Sequence, residues 1–198
     1  MTSPLKLYGS YTSPYVRKLR LLLWENKNLE FIAINYLEEN DGKLLKEINP
    51  LNQIPLLIDG EQKVYDSRII FNYLANKMKL APLSIEDENR LSAIDTAMSS
   101  GVSLFSIRKG GIDIVKTDHY YIIRQKERLP SIFHYLAPWV KTLDPKKDWN
   151  YLSMSLYSLV YWLGLRDIYH SQSHPEIGAF MERFKDCPGV QETNPPAA

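Results

Sequence analysis

Leu5-Lys6-Leu7-Tyr8-Gly9-Ser10-Tyr11-Thr12-Ser13-Pro14-Tyr15-Val16-Arg17-Lys18-Leu19 joins two different hydrophobic patterns across one short connection. Leu5 to Tyr8 reads as a short apolar strand, and Val16 to Trp24 repeats its apolar positions with the period of a helix. Between them stands Ser13-Pro14, a favoured N-cap followed by the residue best suited to a first helical position. The stretch therefore predicts a strand that delivers a hydroxyl to the start of a helix, beside unpaired backbone N–H groups and the positive end of the helix dipole. Two readings of Ser13 stand side by side. It caps the helix and does nothing else, or it also accepts a bond from a helix N–H while sending its own proton outward to an anion, of which a thiolate is one. No histidine lies near it in sequence, and no Gly-x-Ser-x-Gly elbow surrounds it, so the local signature of a serine hydrolase is missing.

Working outward, the pattern continues as Glu30 to Asn35 (strand), Lys43 to Ile48 (helix), Leu56 to Ile58 and Lys63 to Tyr65 (strands), and Ser67 to Met78 (helix). Asp59-Gly60 has the composition of a tight hairpin turn, which makes the last two strands antiparallel neighbours. The expectation is a βαβ unit followed by ββα on a mixed four-stranded sheet. Beyond a linker at 80–85 containing Pro82, only helical periodicity remains. Leu91, Ile94, Met98, Val102 and Phe105 mark one face of a long helix that ends at Gly110-Gly111. Ile122, Leu129, Phe133, Leu136 and Val140 mark a second, in which Pro130 predicts a kink. Residues 150–169 are apolar nearly all round, as in a helix at the centre of a helical domain, and His174-Pro175 opens a last helix to Lys185. The expected division is 1–79, a linker at 80–85, and an all-helical domain at 86–198.

Composition narrows the function classes. With 24 basic against 23 acidic side chains the net charge is +1, which supplies no electrostatic footprint for nucleic acid or an anionic membrane. The tyrosines are not interleaved with a basic stripe, as a stacking platform for nucleic acid requires. Residues 1–10 lack the apolar core of a signal peptide, and Met154 to Leu165 is too short to span a bilayer, so cytoplasm is the expected compartment. One cysteine, Cys187, excludes an internal disulfide and a Cys-x-x-Cys pair. His119, His134, His170 and His174 are scattered and no acidic cluster repeats at ligand spacing, so no metal site is expected.

Three local sequences, Tyr11-Thr12-Ser13-Pro14-Tyr15-Val16-Arg17-Lys18, Asn49-Pro50-Leu51-Asn52-Gln53-Ile54-Pro55 and Tyr65-Asp66-Ser67-Arg68-Ile69-Ile70, taken with the order of elements, resemble the cytosolic glutathione transferase superfamily. The resemblance spans essentially the whole chain, and the Ser-Pro-Tyr-Val-Arg-Lys stretch resembles its serine-type members, small bacterial glutathione transferase-like proteins and the plant tau class. It implies a thioredoxin-like α+β domain followed by an all-α one, with glutathione as cosubstrate. Ser13 then stabilises the glutathione thiolate. The resemblance also implies a cis bond at Ile54-Pro55, so that the Ile54 backbone pairs with the cysteinyl residue as an added strand does. Asp66 and Ser67, which read independently as a helix cap, take the γ-glutamyl ammonium and carboxylate. Gln53 faces the glycyl end where many relatives carry lysine, Asn52 stands where glycine is common, and Asp66 stands where glutamate is commoner. Lys43 or Lys46 is a candidate for the charge that Gln53 lacks.

For the electrophile the resemblance implies a variable apolar pocket between the Ser13 loop and the first long helix, with Tyr11, Tyr15, Phe105 and Arg108 as its candidates. Each aromatic reads equally as core packing, and Arg108 equally as a partner for terminal helix carbonyls. Arg17 has the reading of a solvated surface arginine beside that of a source of positive potential. Serine at position 13 forms no mixed disulfide, which favours conjugation over thiol transfer. A homodimer is implied, across helices around Ser67 to Met78 and Leu91 to Phe105. The alternatives are a non-catalytic interaction protein on the same fold, like the stringent starvation proteins, and a glutathione-dependent isomerase or dehalogenase.

Overall fold

In β1 (Leu5–Gly9), Leu5, Leu7 and Gly9 are buried while Lys6 and Tyr8 are half-buried, the two-residue period of a strand covered on one face. The computed structural model describes residues 4–35, 38–170 and 174–196. It divides into two units, Met1–Pro82 together with Pro188–Ala198, and Leu83–Cys187.

In the first unit β1 leads into α1 (Pro14–Leu22), and then follow β2 (Leu29–Ala33), α2 (Glu39–Ile48), β3 (Leu56–Asp59), β4 (Gln62–Tyr65) and α3 (Ser67–Met78). The sheet order is β2-β1-β3-β4, with β1 parallel to β2 and antiparallel to β3, and β3 antiparallel to β4. This is the mixed four-stranded sheet of a thioredoxin-like domain. Leu7, Leu56 and Leu57 on the two central strands are completely buried, as are Val16 and Leu19 of α1 and Ile70 of α3. Tyr73 and Lys77 of α3 both donate to the Asp59 carboxylate at the end of β3, and those bonds hold its pKa below the usual carboxylate range.

The second unit is helical: α4 (Ile85–Lys109), α5 (Tyr120–Thr142), α6 (Tyr151–Leu165) and α7 (Pro175–Phe184). Every residue from 151 to 160 is buried. Three serines lie in that buried stretch; Ser155 and Ser158 return their hydroxyls to the carbonyls of Tyr151 and Met154, so their burial strands no donor. Asn150 and Ser153 form a reciprocal capping box at the start of α6.

Sequence and structure differ at the start of α2, at the end of the helical domain and in the setting of Arg17. α2 begins at Glu39 rather than Lys43, because its first turn is polar and acidic and gives apolar periodicity nothing to register. α5 is one helix with Pro130 inside it, as the single helical pattern read there predicts, and with Pro138 inside it as well. The helical domain does not extend to 198: residues 188–196 return to the first unit. There Arg17 donates to Val190 O at 3.0 Å, to Asn194 Oδ1 at 2.6 Å and, through Nε, to Thr193 Oγ1 at 3.3 Å. Arg17 is only 2% exposed and is therefore not the solvated arginine its charge suggests.

Candidate functional site

The pairing register brings Tyr8 of β1 opposite Leu56 of β3, and Leu56 opposite Tyr65 of β4. The loop after β1, the segment before β3 and the turn after β4 therefore leave the sheet at the same end. These carry Ser13, Ile54-Pro55 and Asp66-Ser67, so the three sequence motifs meet along one edge.

Gly9 ends β1 close beneath α1. A Cβ there would sit 2.5 Å from Cγ2 of the buried Val16, so only glycine lets α1 approach that closely. Ser13 is the N-cap of α1 in extended geometry, and its Oγ accepts from Val16 N at 3.4 Å. That bond occupies a lone pair and leaves the hydroxyl proton its own direction. Ser10 and Thr12 hydroxyls are 3.1 Å apart beside it. Tyr11 is 44% exposed, edge-on to Phe31 at 5.0 Å between centroids, with the Arg20 guanidinium 5.0 Å from its ring centre. Lys18 Nζ lies 5.7 Å from the centre of the half-buried Tyr15 ring.

Ile54-Pro55 is cis, as the resemblance implies. Among the described residues, no backbone hydrogen bond engages the Ile54 N–H or C=O, so this short segment presents an unpaired donor and acceptor. Asn52 has φ 50°, in the left-handed region that asparagine tolerates better than most residues. The loop is pinned by a residue that sequence reading passed over. Asn49, 1% exposed, donates through Nδ2 to Gln53 O at 2.6 Å and accepts at Oδ1 from Leu51 N at 2.9 Å. An Asn before Pro was the available signal, since such residues often bond the backbone two residues on. The Gln53 side chain is exposed. Lys43, one candidate for the missing charge, is paired with Glu39 on its own helix at 2.5 Å, while Lys46 is exposed in the last turn of α2.

Asp66 caps α3 from φ 65°, accepting at Oδ1 from Arg68 N at 2.7 Å and from Ile69 N at 3.4 Å. Ser67 is the buried first residue of α3. Beside Asp66 a depression of about 510 Å³ runs along β4 and α3, and its lining includes Leu51, Tyr65, Ile69 and Tyr73.

In the helical unit, Phe105 packs edge-on to Trp162 at 5.6 Å, and the Arg166 guanidinium lies 5.0 Å from its ring centre. Arg108 donates to Asp167 O at 2.8 Å and to Arg166 O, so its charge closes the end of α6 rather than of its own helix. Three of the four histidines have local partners: His119 accepts from Tyr121 N at the start of α5, His170 bonds Asp167, and His174 bonds Tyr169. Burial, with Asp186 beside it, pushes the Cys187 thiol up and away from thiolate character. Among the described residues no helix is long and apolar enough to cross a membrane.

Residues 3–76 match the family described as the glutathione S-transferase N-terminal domain. Over that N-terminal part the chain is similar to glutathione S-transferases, and its whole length shares their fold. Along its whole length it is similar to the uncharacterized glutathione S-transferase-like protein YibF of Escherichia coli K12, with 28% identity covering 98% of this chain and all of the relative. Plant tau-type transferases match it only in part. Among solved structures it resembles a glutathione S-transferase of Methylobacterium radiotolerans in complex with glutathione sulfonate, at a TM-score of 0.82 and 19% identity, covering 98% and 96% of the two chains. A glutathione transferase family member of Pseudomonas fluorescens Pf-5 with bound glutathione superposes at a TM-score of 0.79 and 22% identity, over 98% and 100%.

Proposed function

We propose that this protein belongs to the glutathione transferase superfamily and is a glutathione S-transferase in which Ser13 holds the glutathione sulfur as thiolate for attack on a small, mostly apolar electrophile. The observation that carries the reading is the convergence of Ser13, cis Ile54-Pro55 and Asp66-Ser67 on one end of the sheet. Three adjacent strands spaced about 4.8 Å apart span roughly 10 Å, the reach of an extended tripeptide at about 3.3 Å per residue. The open Ile54 N–H and C=O pair with the cysteinyl residue, as a strand adds to an edge. The start of α3, with Ser67, receives the γ-glutamyl carboxylate, and the Asp66 carboxylate receives its ammonium while capping the helix through Oδ1. Gln53 meets the glycyl carboxylate with neutral hydrogen bonds. That the two structural relatives were solved with glutathione or its sulfonate supports the same ligand here.

Ser13 acts by position. Its Oγ already accepts from Val16 N, so its one proton is available to the sulfur, and the first turn of α1 adds a favourable dipole. Tyr11 and Tyr15 are the proposed electrophile contacts on this unit, and Phe105 is the proposal for the helical unit. Arg108, bound to two carbonyls, takes the role of holding the end of α6.

Isothermal titration with glutathione and turnover of a small electrophile panel test the reading. Binding together with turnover is the expected result, and absence of binding contradicts it. Gln53→Lys, which turns a neutral contact into a charge-assisted one, is expected to tighten binding about three- to tenfold, close to 1.4 kcal/mol at the upper end. The same neutral Gln53, with Lys43 spent on Glu39, favours a second reading, an interaction protein that keeps the fold without the chemistry. A chain that neither binds glutathione nor turns over an electrophile belongs to that class, and the panel also separates conjugation from isomerisation and dehalogenation.

The proposed compartment is the cytoplasm and the proposed assembly a homodimer, a second copy covering the depression beside exposed Leu51 and Ile69. Light scattering at micromolar concentration is expected to give twice the chain mass, and a monomer contradicts the dimer.

A further inference from the structure

Arg17 is a cation withdrawn from water whose three named acceptors, Val190 O, Thr193 Oγ1 and Asn194 Oδ1, all come from the last stretch of the chain. A buried charge is tolerable only while its hydrogen bonds are kept, so the terminal segment and α1 stabilise each other. The same segment reaches α1 at two further points. Arg20 donates to Thr193 O at 3.4 Å while its guanidinium stands 5.0 Å from the Tyr11 ring and 4.8 Å from that of Phe31. Gly189, at φ 81°, backs onto Trp24 just beyond α1, where a Cβ would fall 2.7 Å from Trp24 Cγ. The segment keeps its own shape through Thr193 N donating to Gly189 O at 2.9 Å and Asn194 Nδ2 to Gln191 Oε1 at 3.1 Å.

These contacts lead back to the Ser13 corner by two routes. The Arg17 amide donates to Ser13 O at 3.0 Å, so the residue anchored in the terminal segment by its side chain is tied to Ser13 by its backbone. Arg20 connects Thr193 to Tyr11, two residues before Ser13. We propose that residues 188–196 are a strap that fixes the position of α1 and so aims the Ser13 hydroxyl, with Arg17 as the positioning residue between them. The inference rests on the thiolate reading of Ser13 given above. Arg17 touches no reacting atom: it acts by holding the first turn whose N–H groups and hydroxyl face the sulfur. Proton donation to sulfur depends steeply on geometry, so a first turn left to move loses preference for thiolate before it loses the ligand.

The test is the double variant Thr193→Val/Asn194→Leu in the full-length chain, which removes two of the acceptors named above. The thiolate absorbance of bound glutathione is followed against pH. The bound-thiolate midpoint is expected to rise by about half a unit to one unit, a roughly three- to tenfold loss of thiolate below the midpoint. Glutathione affinity well above the midpoint is expected to change less than about threefold. Asn194→Asp, which keeps an acceptor on the guanidinium, is expected to hold the wild-type midpoint. A lowered melting temperature with an unchanged midpoint overturns the inference and leaves the strap merely structural. If the double variant fails to fold, Asn194→Ala gives the same readout with Thr193 and Val190 still in place, and an unchanged midpoint again overturns it. The two proposals separate in the wild type: a midpoint no lower than that of free glutathione overturns the thiolate reading and this one together. A depressed wild-type midpoint that the strap variants do not move overturns this one alone.

Discussion

Ser13→Ala is expected to raise the pH midpoint of bound glutathione thiolate by about two units, toward the cysteine-like value near 8.5, while affinity measured above that pH changes little. Two units correspond to about 2.7 kcal/mol of preference for thiolate over thiol. A charge-assisted hydrogen bond contributes about 1.5–3 kcal/mol, and a helix N-terminus adds roughly 0.3–1 kcal/mol, so the corner at Ser13 is sufficient without a cation. Near pH 6.5 the thiolate fraction of the variant falls roughly fiftyfold. The rate falls less, about five- to eightfold, because a thiolate of higher pKa is intrinsically more nucleophilic. The deficit must close as pH rises through the variant's midpoint and vanish or reverse above about pH 9, a profile that a merely damaged site does not give. A rate deficit independent of pH contradicts the assignment of Ser13.

Asn49→Ala is the second large effect, and it falls on affinity rather than on the thiolate. Asn49 is fully enclosed and holds the turn before the cis proline by bonds to Gln53 O and Leu51 N. Removing the side chain deletes two hydrogen bonds worth about 1 kcal/mol each, so unfolding free energy is expected to fall by about 2 kcal/mol. The freed segment 51–54 must then be ordered when glutathione binds, at about 1–2 kcal/mol for each backbone residue newly fixed. Glutathione affinity is expected to weaken by about tenfold or more, as read by calorimetry, with the thiolate midpoint at saturation unchanged. Unaltered affinity in a folded Asn49→Ala chain contradicts the role given to this loop. Paired with Ser13→Ala, it separates the two tasks of the site: one variant moves the midpoint and spares affinity, and the other does the reverse.

What was legible in the sequence was what local chemistry writes down. Ser13-Pro14 announced a helix start, Asp59-Gly60 a hairpin, and the switch from alternating patterns to helices alone after Lys79 a change of architecture. The resemblance added the cis geometry of Pro55, which no feature of Ile54 or Pro55 by itself reveals. What was hidden depends on residues far apart in the chain. Arg17 reads as a surface cation because nothing near it signals that the acceptors for its guanidinium lie at Val190, Thr193 and Asn194. For the same reason the helical domain was extended to 198, although the chain's last turn belongs to the first unit. Arg108 shows the same limit, its partners lying at the end of another helix. Asn49 was missed for a different reason: its local bonding makes an ordinary turn, and only the place of that turn, just before the cis proline, gives it weight.

The most direct test of the central claim is a crystal structure of the protein soaked with glutathione. The account predicts the sulfur within hydrogen-bonding reach of Ser13 Oγ and the cysteinyl backbone paired with the Ile54 N–H and C=O. A bound tripeptide whose sulfur lies away from Ser13, with the Ile54 backbone left unpaired, would contradict it.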